Sequence, residues 1–485
     1  MNIFGIVLGV NLLFLLFRIA YIIYYPVDLS PEEAQYWDWS RHLDLSYYSK
    51  PPMVAYLNFL STHLLGNTEL GVRITPVVMG FVLSLGVFFF MKKLFGDEVA
   101  LVASTLPHIL VGTSINFLLM TTDAPLVFFW GLTVMSIYFA VETNRIFLWL
   151  VVGILAGLSF LSKYPAVFLL PLTLLYMFLV RKELLKDTKP YISLIPAFVL
   201  SLPVLVWNYQ MDFVSFKHVS GLASKQASFP NFSSFLEYVG GQLLLLSLFP
   251  FFFMAYGWYR SIQERDKRLL LLTVYSLPVF LFFALLSLRK TVYANWAGFG
   301  YFTGTLLASV FFYRAWRRSP FLTASVAGFC LFLFVLLHFT PIFDFIKLRN
   351  LLPPNKDPVK IMVGWEKLGR EVSKFYRENQ FIFSDRYQIS AELAFYTEGN
   401  PRTFVYHTGR MTQYYFWNRG LNRYKGKDAI FVTQWGINER IAQDFAFYEL
   451  LGEVDITWRG ERVKRFYIYR MKQFSGKFSE QPTGF

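Results

Sequence analysis

Charged residues are scarce in this chain. Asp, Glu, Lys and Arg make up 16% of its 485 residues, whereas hydrophobic residues make up 55% and the mean hydropathy is +0.41. The surface of a soluble protein needs more charge than this, typically about 25% of all residues. The shortage therefore excludes an ordinary soluble globular protein and indicates a chain that lies largely within a membrane.

Residues that build disulfide, metal and nucleotide sites are also rare. Cys330 is the single cysteine, so no disulfide can form within one chain. Cysteine usage therefore does not determine whether the chain lies in an oxidising or a reducing compartment. The six histidines form no HExxH motif and no cluster with cysteine, and we interpret His108 and His338 as hydrogen-bonded interior residues. No Gly-rich phosphate loop is present. These absences argue against a His or Cys metal site and against a nucleotide-binding loop.

Apolar runs recur from residue 1 to about residue 340, and a helix of roughly 17 to 25 such residues crosses a bilayer. The first run lacks a basic leading region and a small-residue cleavage site, so we expect a retained anchor, in which Arg18 is unusual. Hydropathy predicts about eleven spans, near residues 2–25, 73–91, 98–118, 122–141, 146–162, 164–180, 190–207, 236–258, 269–287, 293–313 and 321–340.

Lysine and arginine concentrate in the loops on one side of these spans, and cytoplasmic loops carry such an excess. We therefore expect a cytoplasmic N-terminus and place residues 26–72, the loop at about 209–235 and the chain after residue 341 on the outer face. The net charge of +14 is mostly this topology signal. Because these basic residues are scattered over separate membrane-flanking loops and do not form one patch or a stripe along a helix, we expect no nucleic acid partner.

The last part of the chain has the pattern of a small soluble α/β domain. It follows the polar, Pro-rich linker "RNLLPPNKDP". "GWEKLGREVSKFYREN" has apolar residues at helical spacing, and "FIFSD", "RTFVY", "DAIFVT" and "KRFYIYR" have strand patterns. Alternating strands and helices favour a sheet with covering helices. We divide the chain into a transmembrane domain, residues 1–344, with an outer-face loop at 26–72, and an extracytoplasmic α/β domain, residues 345–485.

A polar and aromatic stretch, "LSPEEAQYWDWSRHLDLSYYSKPP", follows the first span directly. Ser30, Pro31 and Glu33 have the spacing of a helix start with a capping box. On the simpler interpretation both Glu32 and Glu33 merely suit the positive end of the helix dipole. The capping box uses only Glu33, however. Glu32 is then a free carboxylate at the membrane surface, where an acid without a role is rare.

Two more charged residues belong to the same outer face. Lys50 precedes Pro51 and Pro52, where it either snorkels to the interface or offers a point charge with three donors to a lipid phosphate. Asp123, in "MTTDAPLVFFW", is either a helix N-cap or a second carboxylate of a site. Two acids and a lysine on one face suit a general base next to a cation that stabilises a departing phosphate.

Several of these segments together resemble a known family. "SPEEAQYWDW", "YYSKPP", "TTDAPLVFFW" and "GLSFLSKYPAVFLLP" are similar to the polyprenyl-phosphate-dependent glycosyltransferases of the GT-C fold. The resemblance is to the bacterial branch with the lipid A aminoarabinose transferase and the lipopolysaccharide-core galacturonosyltransferases, and more distantly to protein O-mannosyltransferases. "SDRYQISAELAFYTEGNP" and "GRMTQYYFWNRG" resemble the soluble domain of that branch.

The resemblance assigns roles to individual residues. The family's first acid after the first span lies at the reaction centre and matches Glu32, and the second acid matches Glu33. Relatives usually have Asp at the first position, so the longer Glu32 leaves open which of the two reaches the acceptor. The phosphate-binding lysine matches Lys50, and Tyr36 and Tyr47 match aromatic hydroxyls of the same site.

Asp123 matches the acid of the family's second outer loop, and the base is either Glu32 or Asp123. An arginine that some relatives carry near the acidic pair is Gln35 here, so other cations must complete the phosphate site. Lys163 and Lys290 lie at outer span ends and either supply this charge or snorkel. Fixed cations can replace a metal ion on a single lipid phosphate, so we expect no obligatory cofactor and leave a divalent metal open.

The resemblance implies an α-helical polytopic membrane protein of GT-C type, with about 11–13 transmembrane helices and a C-terminal soluble α/β domain. It implies an inverting glycosyltransferase of the bacterial inner membrane that moves a sugar from a polyprenyl-phosphate donor to lipid A or lipopolysaccharide core at the outer face. The lack of a nucleotide loop fits a lipid-linked donor. We expect the donor, the acceptor glycan and membrane lipids as partners, and a monomer.

Two other functions stay open at this point. A protein O-glycosyltransferase would use the same donor type and would need a groove for a peptide. A secondary transporter also uses acids within the membrane, but it predicts broken helices that meet at the midplane and an internal repeat. The notable polar residues of this chain instead gather at one interface.

Overall fold

The computed structural model describes residues 2–224, 229–407, 409–479 and 482, and most of these residues are helical. The α-helices are α1 (Ile3–Tyr24), α2 (Pro31–Ser40), α3 (Met53–Leu65), α4 (Glu69–Phe95), α5 (Asp97–Thr105), α6 (Val111–Asn116), α7 (Asp123–Thr143), α8 (Ile146–Ser162), α9 (Leu169–Val180), α10 (Lys189–Ile192), α11 (Leu194–Gln210), α12 (Val214–Ser224), α13 (Phe232–Leu245), α14 (Phe249–Glu264), α15 (Lys267–Val274), α16 (Leu277–Ser287), α17 (Tyr301–Trp316), α18 (Pro320–His338), α19 (Ile342–Phe345), α20 (Trp365–Phe375), α21 (Tyr387–Tyr396), α22 (Gln413–Trp417) and α23 (Glu439–Ala442). The strands are β1 (Phe381–Ser384), β2 (Thr403–Val405), β3 (Ala429–Thr433), β4 (Phe445–Trp458) and β5 (Glu461–Phe474).

Among the described residues, six helical segments are long and apolar enough to cross a membrane. The bent pair α13 and α14 gives a seventh if it counts as one span. This confirms a polytopic helical membrane protein. The six segments are Ile3–Tyr24, Glu69–Phe95, Asp123–Thr143, Lys189–Gln210, Lys267–Ser287 and Pro320–His338.

Some of the remaining predicted spans are interrupted. In the span predicted at 98–118, α5 ends at Thr105, a 3-10 turn covers Leu106–Ile109, and α6 begins at Val111. Pro107 lies in this turn; it has no backbone N–H to donate and disfavours a continuous helix. A hydropathy average depends only on which residues are present, so it does not detect such a break in the helix. The short α6 then contributes to the wall of a cavity, where irregular backbone is tolerated within a membrane protein.

The span predicted at 236–258 is bent. The axes of α13 and α14 differ by 104°, and Ser247 and Leu248 between them have positive φ values of 56° and 63°. Pro250 lies in the first turn of α14, the position in a helix where proline is tolerated. The bend brings Leu245, at the end of α13, to the same cavity as α6.

The C-terminal region contains a five-stranded sheet in the order β2-β1-β3-β5-β4. β1 runs parallel to β2 and β3, whereas β5 is antiparallel to β3 and β4. The four predicted strands form β1, β2, β3 and β5, and the helix predicted from "GWEKLGREVSKFYREN" is α20. β4 is not among the predicted strands, because most of this edge strand is exposed or half-exposed and shows no sustained apolar alternation.

The sheet region is joined to the segment at residues 26–72 by polar contacts. α21 packs against α2. The Asp28 carboxylate accepts a hydrogen bond from the Trp365 backbone N–H at 2.6 Å, and the Tyr414 hydroxyl donates to the Asp38 carboxylate at 2.7 Å. These contacts hold the C-terminal residues directly over the stretch that the sequence predicts to carry the chemistry.

Candidate active site

A cavity of about 620 Å³ lies where the segment at residues 26–72, the interrupted helices and the sheet region meet. Its charged lining residues come from five separate parts of the chain. They are Glu32 in α2, Lys50 before α3, Asp123 at the start of α7, Lys163 after α8, and Arg410 in the sheet region. The cavity thus combines carboxylates with cations at one face of the protein.

The structure brings together five of the eight residues that the sequence predicts for the site. Glu32, Tyr36, Lys50, Asp123 and Lys163 line the cavity. Three others do not line it: Glu33, Tyr47 and Lys290.

Glu33 is fully buried and points away from the cavity into a saturated polar cluster. Its carboxylate accepts hydrogen bonds from Arg73 at 2.9 and 2.8 Å and from the Met120 backbone N–H at 2.9 Å. It also accepts from the Ser30 backbone N–H at 3.0 Å, which completes the predicted capping box. Burial by itself raises the pKa of Glu33, but Arg73 outweighs it, so the pKa is lowered and the side chain is ionised. Glu33 therefore fixes α2 against α4.

Glu32, the neighbouring acid, is exposed and lies in the cavity wall. It accepts no hydrogen bond from any other residue that the structure describes. Successive residues of a helix differ by about 100° in direction, which is why adjacent acids reach different surroundings. Glu32 is thus the carboxylate of the pair that a bound molecule can reach.

Asp123 begins α7 and is held by two side chains. Lys163 donates to one of its carboxylate oxygens at 2.7 Å, and Asn295 donates to the other at 3.3 Å. Both partners of the ion pair are mostly buried, with 11% of the Lys163 side chain and 15% of the Asp123 side chain exposed. The pair links the ends of two membrane helices, and its charges largely neutralise each other.

Lys50 lies at the cavity wall and directly follows Tyr47, Tyr48 and Ser49 in the sequence. These four residues form a tight turn, which is closed by the hydrogen bond from the Tyr47 N–H to the Lys50 carbonyl at 3.2 Å. Burial and the nearby Lys163 lower the pKa of Lys50 to about 8, against the attraction of the Asp123 and Glu32 carboxylates. At neutral pH the ammonium is therefore mostly charged. Lys50 forms no ion pair with any described carboxylate.

The two predicted tyrosines lie in different environments. Tyr36 lines the cavity, and burial together with the Glu32 charge raises its pKa well above the ordinary value, so its hydroxyl keeps its proton. Tyr47 stacks on Trp39 with ring centroids 4.4 Å apart, and its hydroxyl contacts the backbone carbonyls of Trp39 and His42, each at 3.1 Å. Tyr36 can donate to a ligand, whereas the Tyr47 hydroxyl is already engaged with the backbone.

Lys290 lies beside the cavity rather than in its wall. Its ammonium group is 5.0 Å from the ring centroid of Trp296, a residue that does line the cavity. The side chain is 7% exposed. Lys290 supports the wall by a cation–π contact.

The sheet region contributes two cavity residues that are not predicted from the sequence. Arg410 and Tyr387 both line the cavity, and they interact with each other through their side chains. "GRMTQYYFWNRG" and "SDRYQISAELAFYTEGNP" contain them, but no local pattern distinguishes Arg410 from the other arginines nearby. The long-range packing of α21 on α2 brings both residues to the site.

In the residues that the structure describes, no group of three or more His, Cys, Asp or Glu side chains gathers at one point. The two carboxylates of the cavity are accompanied by three cations. Because like charges repel, these three cations disfavour the binding of a divalent ion in the cavity. The arrangement instead suits an anion next to a free carboxylate.

Comparisons with known proteins place this geometry in context. The family described as dolichyl-phosphate-mannose-protein mannosyltransferase matches residues 49–207. The lipid A galacturonosyltransferase RgtD of Rhizobium johnstonii is 30% identical over 397 residues, which cover 81% of this chain and 81% of that protein. The undecaprenyl phosphate-alpha-4-amino-4-deoxy-L-arabinose arabinosyl transferase 2 of Proteus mirabilis is 24% identical over 330 residues, 59% of this chain and 56% of the other.

A solved structure shares the fold over nearly the whole length. ArnT from Cupriavidus metallidurans bound to undecaprenyl phosphate matches with a TM-score of 0.67 at 14% sequence identity, over 96% of this chain and 97% of that chain. This confirms the predicted class, a polytopic helical membrane protein with a small C-terminal sheet region.

Proposed function

The chain belongs to the family of membrane glycosyltransferases that includes lipid A galacturonosyltransferase RgtD, and from this premise we propose that it transfers a sugar from a polyprenyl-phosphate donor to lipid A or lipopolysaccharide core. The observation that carries the proposal is the shared cavity of Glu32, Lys50 and the Asp123–Lys163 pair. A free carboxylate beside unpaired positive charge is what an acceptor hydroxyl and a departing phosphate require.

Lys50 binds the phosphate of the donor in this proposal. Its ammonium is charged at neutral pH, has no carboxylate partner among the described residues, and lies at the cavity wall. Tyr36 adds a protonated hydroxyl to the same wall. Both groups can donate to phosphate oxygens, and hydrogen bonds to a charged group are the stronger kind.

Glu32 is the general base of the proposal. Both oxygens of Asp123 already accept hydrogen bonds, from Lys163 and Asn295, whereas those of Glu32 accept none from the described residues. Glu32 takes the proton of the acceptor hydroxyl as its oxygen forms a bond to the anomeric carbon. The bond from that carbon to the phosphate oxygen breaks, and its electron pair leaves on the phosphate. A single displacement inverts the anomeric carbon.

Asp123 acts through Lys163 in this account. Their ion pair fixes the ammonium of Lys163 in the cavity wall, where it also repels the Lys50 ammonium. Asp123 is therefore a positioning residue.

We infer further that the cavity faces the outer side of the bacterial inner membrane, with a cytoplasmic N-terminus and a periplasmic sheet region. The excess of basic residues in the opposite loops supports this orientation. A transmembrane domain at residues 1–344 and an α/β domain at 345–485 fit α18, which ends at His338, and β1, which begins at Phe381. We also propose that the protein acts as a monomer.

Mass spectrometry of lipid A and core oligosaccharide tests the function. Cells with the gene, cells without it and cells with Glu32→Gln are compared, with Lys92→Ala as a control at an exposed lysine that does not line the cavity. We expect one defined sugar mass to disappear in the deletion and the Glu32→Gln strain and to persist in the control. An unchanged profile in all strains would contradict a lipopolysaccharide acceptor, and glycopeptide analysis of the same cells would then test protein O-glycosylation.

A further inference from the structure

Arg410 is a cation that the sheet region contributes to a cavity formed mainly by the membrane region. It is exposed at the cavity and forms no ion pair with any described carboxylate. Its charge acts on Lys50, Tyr48 and Tyr387, so it lies near the Lys50 side of the cavity. A cation at this position without an ion-pair partner is suited to bind an anionic ligand.

The segment around Arg410 is anchored on both sides. His407 Nε2 and the Thr412 hydroxyl are hydrogen-bonded at 2.9 Å, and both side chains are buried. Gln413 accepts a hydrogen bond from the Tyr48 backbone N–H at 2.8 Å. Tyr48 is two residues from Lys50, so this contact ties the Arg410 segment to the Lys50 turn and fixes both cations at one part of the cavity.

The charges of the cavity indicate what Arg410 binds. Lys163 and Asp123 neutralise each other, which leaves Glu32, Lys50 and Arg410. A lipid-linked sugar phosphate is a diester with one negative charge; when the sugar leaves, the phosphate becomes a monoester with two, and the proton of the acceptor moves to Glu32. Two unpaired cations then oppose a doubly charged phosphate beside a neutral carboxyl group, and the charges balance.

From this juxtaposition, and resting on the proposed function, we propose that Arg410 is a second phosphate-binding residue, which shares with Lys50 the charge that develops on the departing lipid phosphate. The planar guanidinium can donate two parallel hydrogen bonds to phosphate oxygens. Tyr387 contacts Arg410 and orients it. The sheet region thereby completes the active site.

The test compares Arg410→Gln and Arg410→Lys with the wild type in the purified full-length chain. Arg423→Gln is the matched control, because Arg423 is an exposed arginine of the same region that does not line the cavity. The loss of a hydrogen-bonded charge should lower kcat by about 10- to 100-fold in Arg410→Gln, with a smaller loss in Arg410→Lys. The affinity for a short-chain polyprenyl monophosphate should fall by a similar factor, and the control should retain both values.

A purely structural role would not change the pH profile. Arg410 lowers the pKa of Lys50, so Arg410→Gln should move the alkaline fall in kcat/KM to higher pH. An unmoved profile with unchanged phosphate affinity would overturn the assignment.

Two further binding and activity measurements identify the anion that Arg410 binds. If Arg410→Gln weakened binding of phosphorylated lipid A but not of polyprenyl monophosphate, the ligand would be the acceptor phosphate and the inference would be wrong. If the loss appeared with a uronic acid donor and not with the matching neutral hexose donor, the ligand would be the sugar carboxylate, which also overturns it. Should the wild type bind the monophosphate through Arg410 yet transfer no sugar, only the proposed function would fail.

Discussion

The charged residues on the two sides of helix α2 differ in whether the protein itself supplies their partners. On the side that faces α4, Glu33 and Arg73 are almost fully buried, and the Glu33 carboxylate accepts five hydrogen bonds, two of them from Arg73. On the side that faces the cavity, Glu32 is exposed and Lys50 and Arg410 form no ion pair among the described residues. One helix thus joins a saturated cluster to an unsaturated one.

The difference separates residues that hold the site from residues that act in it. A buried ion pair with all its hydrogen bonds made has no capacity left for a ligand, and breaking it leaves an uncompensated buried charge. Polar groups without protein partners are those that substrate can engage.

Lys50→Ala should abolish transfer, with a loss of more than about 1,000-fold, because the departing phosphate loses its principal fixed cation. Turnover of a defined polyprenyl-phosphate sugar by purified protein measures this. Thermal unfolding should be unchanged, since Lys50 has no ion pair to lose. Lys92→Ala, at an exposed lysine paired with Asp97, is the control. Turnover above a tenth of the wild-type value would refute the role of Lys50.

Glu33→Gln should destabilise the fold rather than the chemistry. Arg73 would stay buried without its carboxylate, which costs about 3 to 5 kcal/mol in the free energy of unfolding. Denaturant unfolding in detergent measures the loss, and the matched variant Glu32→Gln should unfold like the wild type. If Glu33→Gln were as stable as the wild type and inactive, Glu33 would belong to the chemistry and the division would fail.

The pH dependence of kcat/KM should report the ionisation of the Lys50 ammonium. Its pKa of about 8 means that the ammonium is charged below pH 8 and loses its proton above it, so kcat/KM should fall about tenfold per pH unit on the alkaline side. Lys50→Arg keeps its charge at all these pH values and should remove the fall. An alkaline fall that persists in Lys50→Arg would belong to another group.

Tyr47→Phe should have the smallest effect. Its hydroxyl contacts the Trp39 and His42 carbonyls and does not line the cavity, so its loss should cost about 1 kcal/mol of stability and leave turnover within twofold. Tyr36→Phe, which removes a hydroxyl from the cavity wall, is the comparison and should lower turnover more. A tenfold loss of turnover in a stable Tyr47→Phe protein would place that hydroxyl at the substrate.

The sequence predicts local features of this site well. The capping box separates Glu33 from Glu32 within one turn of helix, because its spacing is a local property of the chain. Six of the predicted apolar spans follow from hydropathy, and four of the five strands follow from local strand patterns. The edge strand β4 is not predicted because it is largely exposed. The helix interruption at Pro107 is not predicted because hydropathy does not depend on backbone geometry.

Partners that are distant in the sequence could not be predicted. Glu33 meets Arg73 across 40 positions, and Asp123 meets Lys163 across another 40. Arg410 reaches the cavity only because the sheet region docks on α2. These contacts depend on how helices pack in three dimensions, and residue type alone does not encode them. Whether a charge is saturated or available is therefore a property of the folded chain.

The most direct test of the account is the single-turnover rate of Glu32→Gln with a saturating polyprenyl-phosphate sugar and acceptor. If Glu32 is the general base, the rate should fall by about 100- to 10,000-fold, the usual contribution of such a group, with unchanged donor affinity and unchanged thermal unfolding. A rate within threefold of the wild type would contradict it. The base would then be sought at Asp123, the other carboxylate of the cavity.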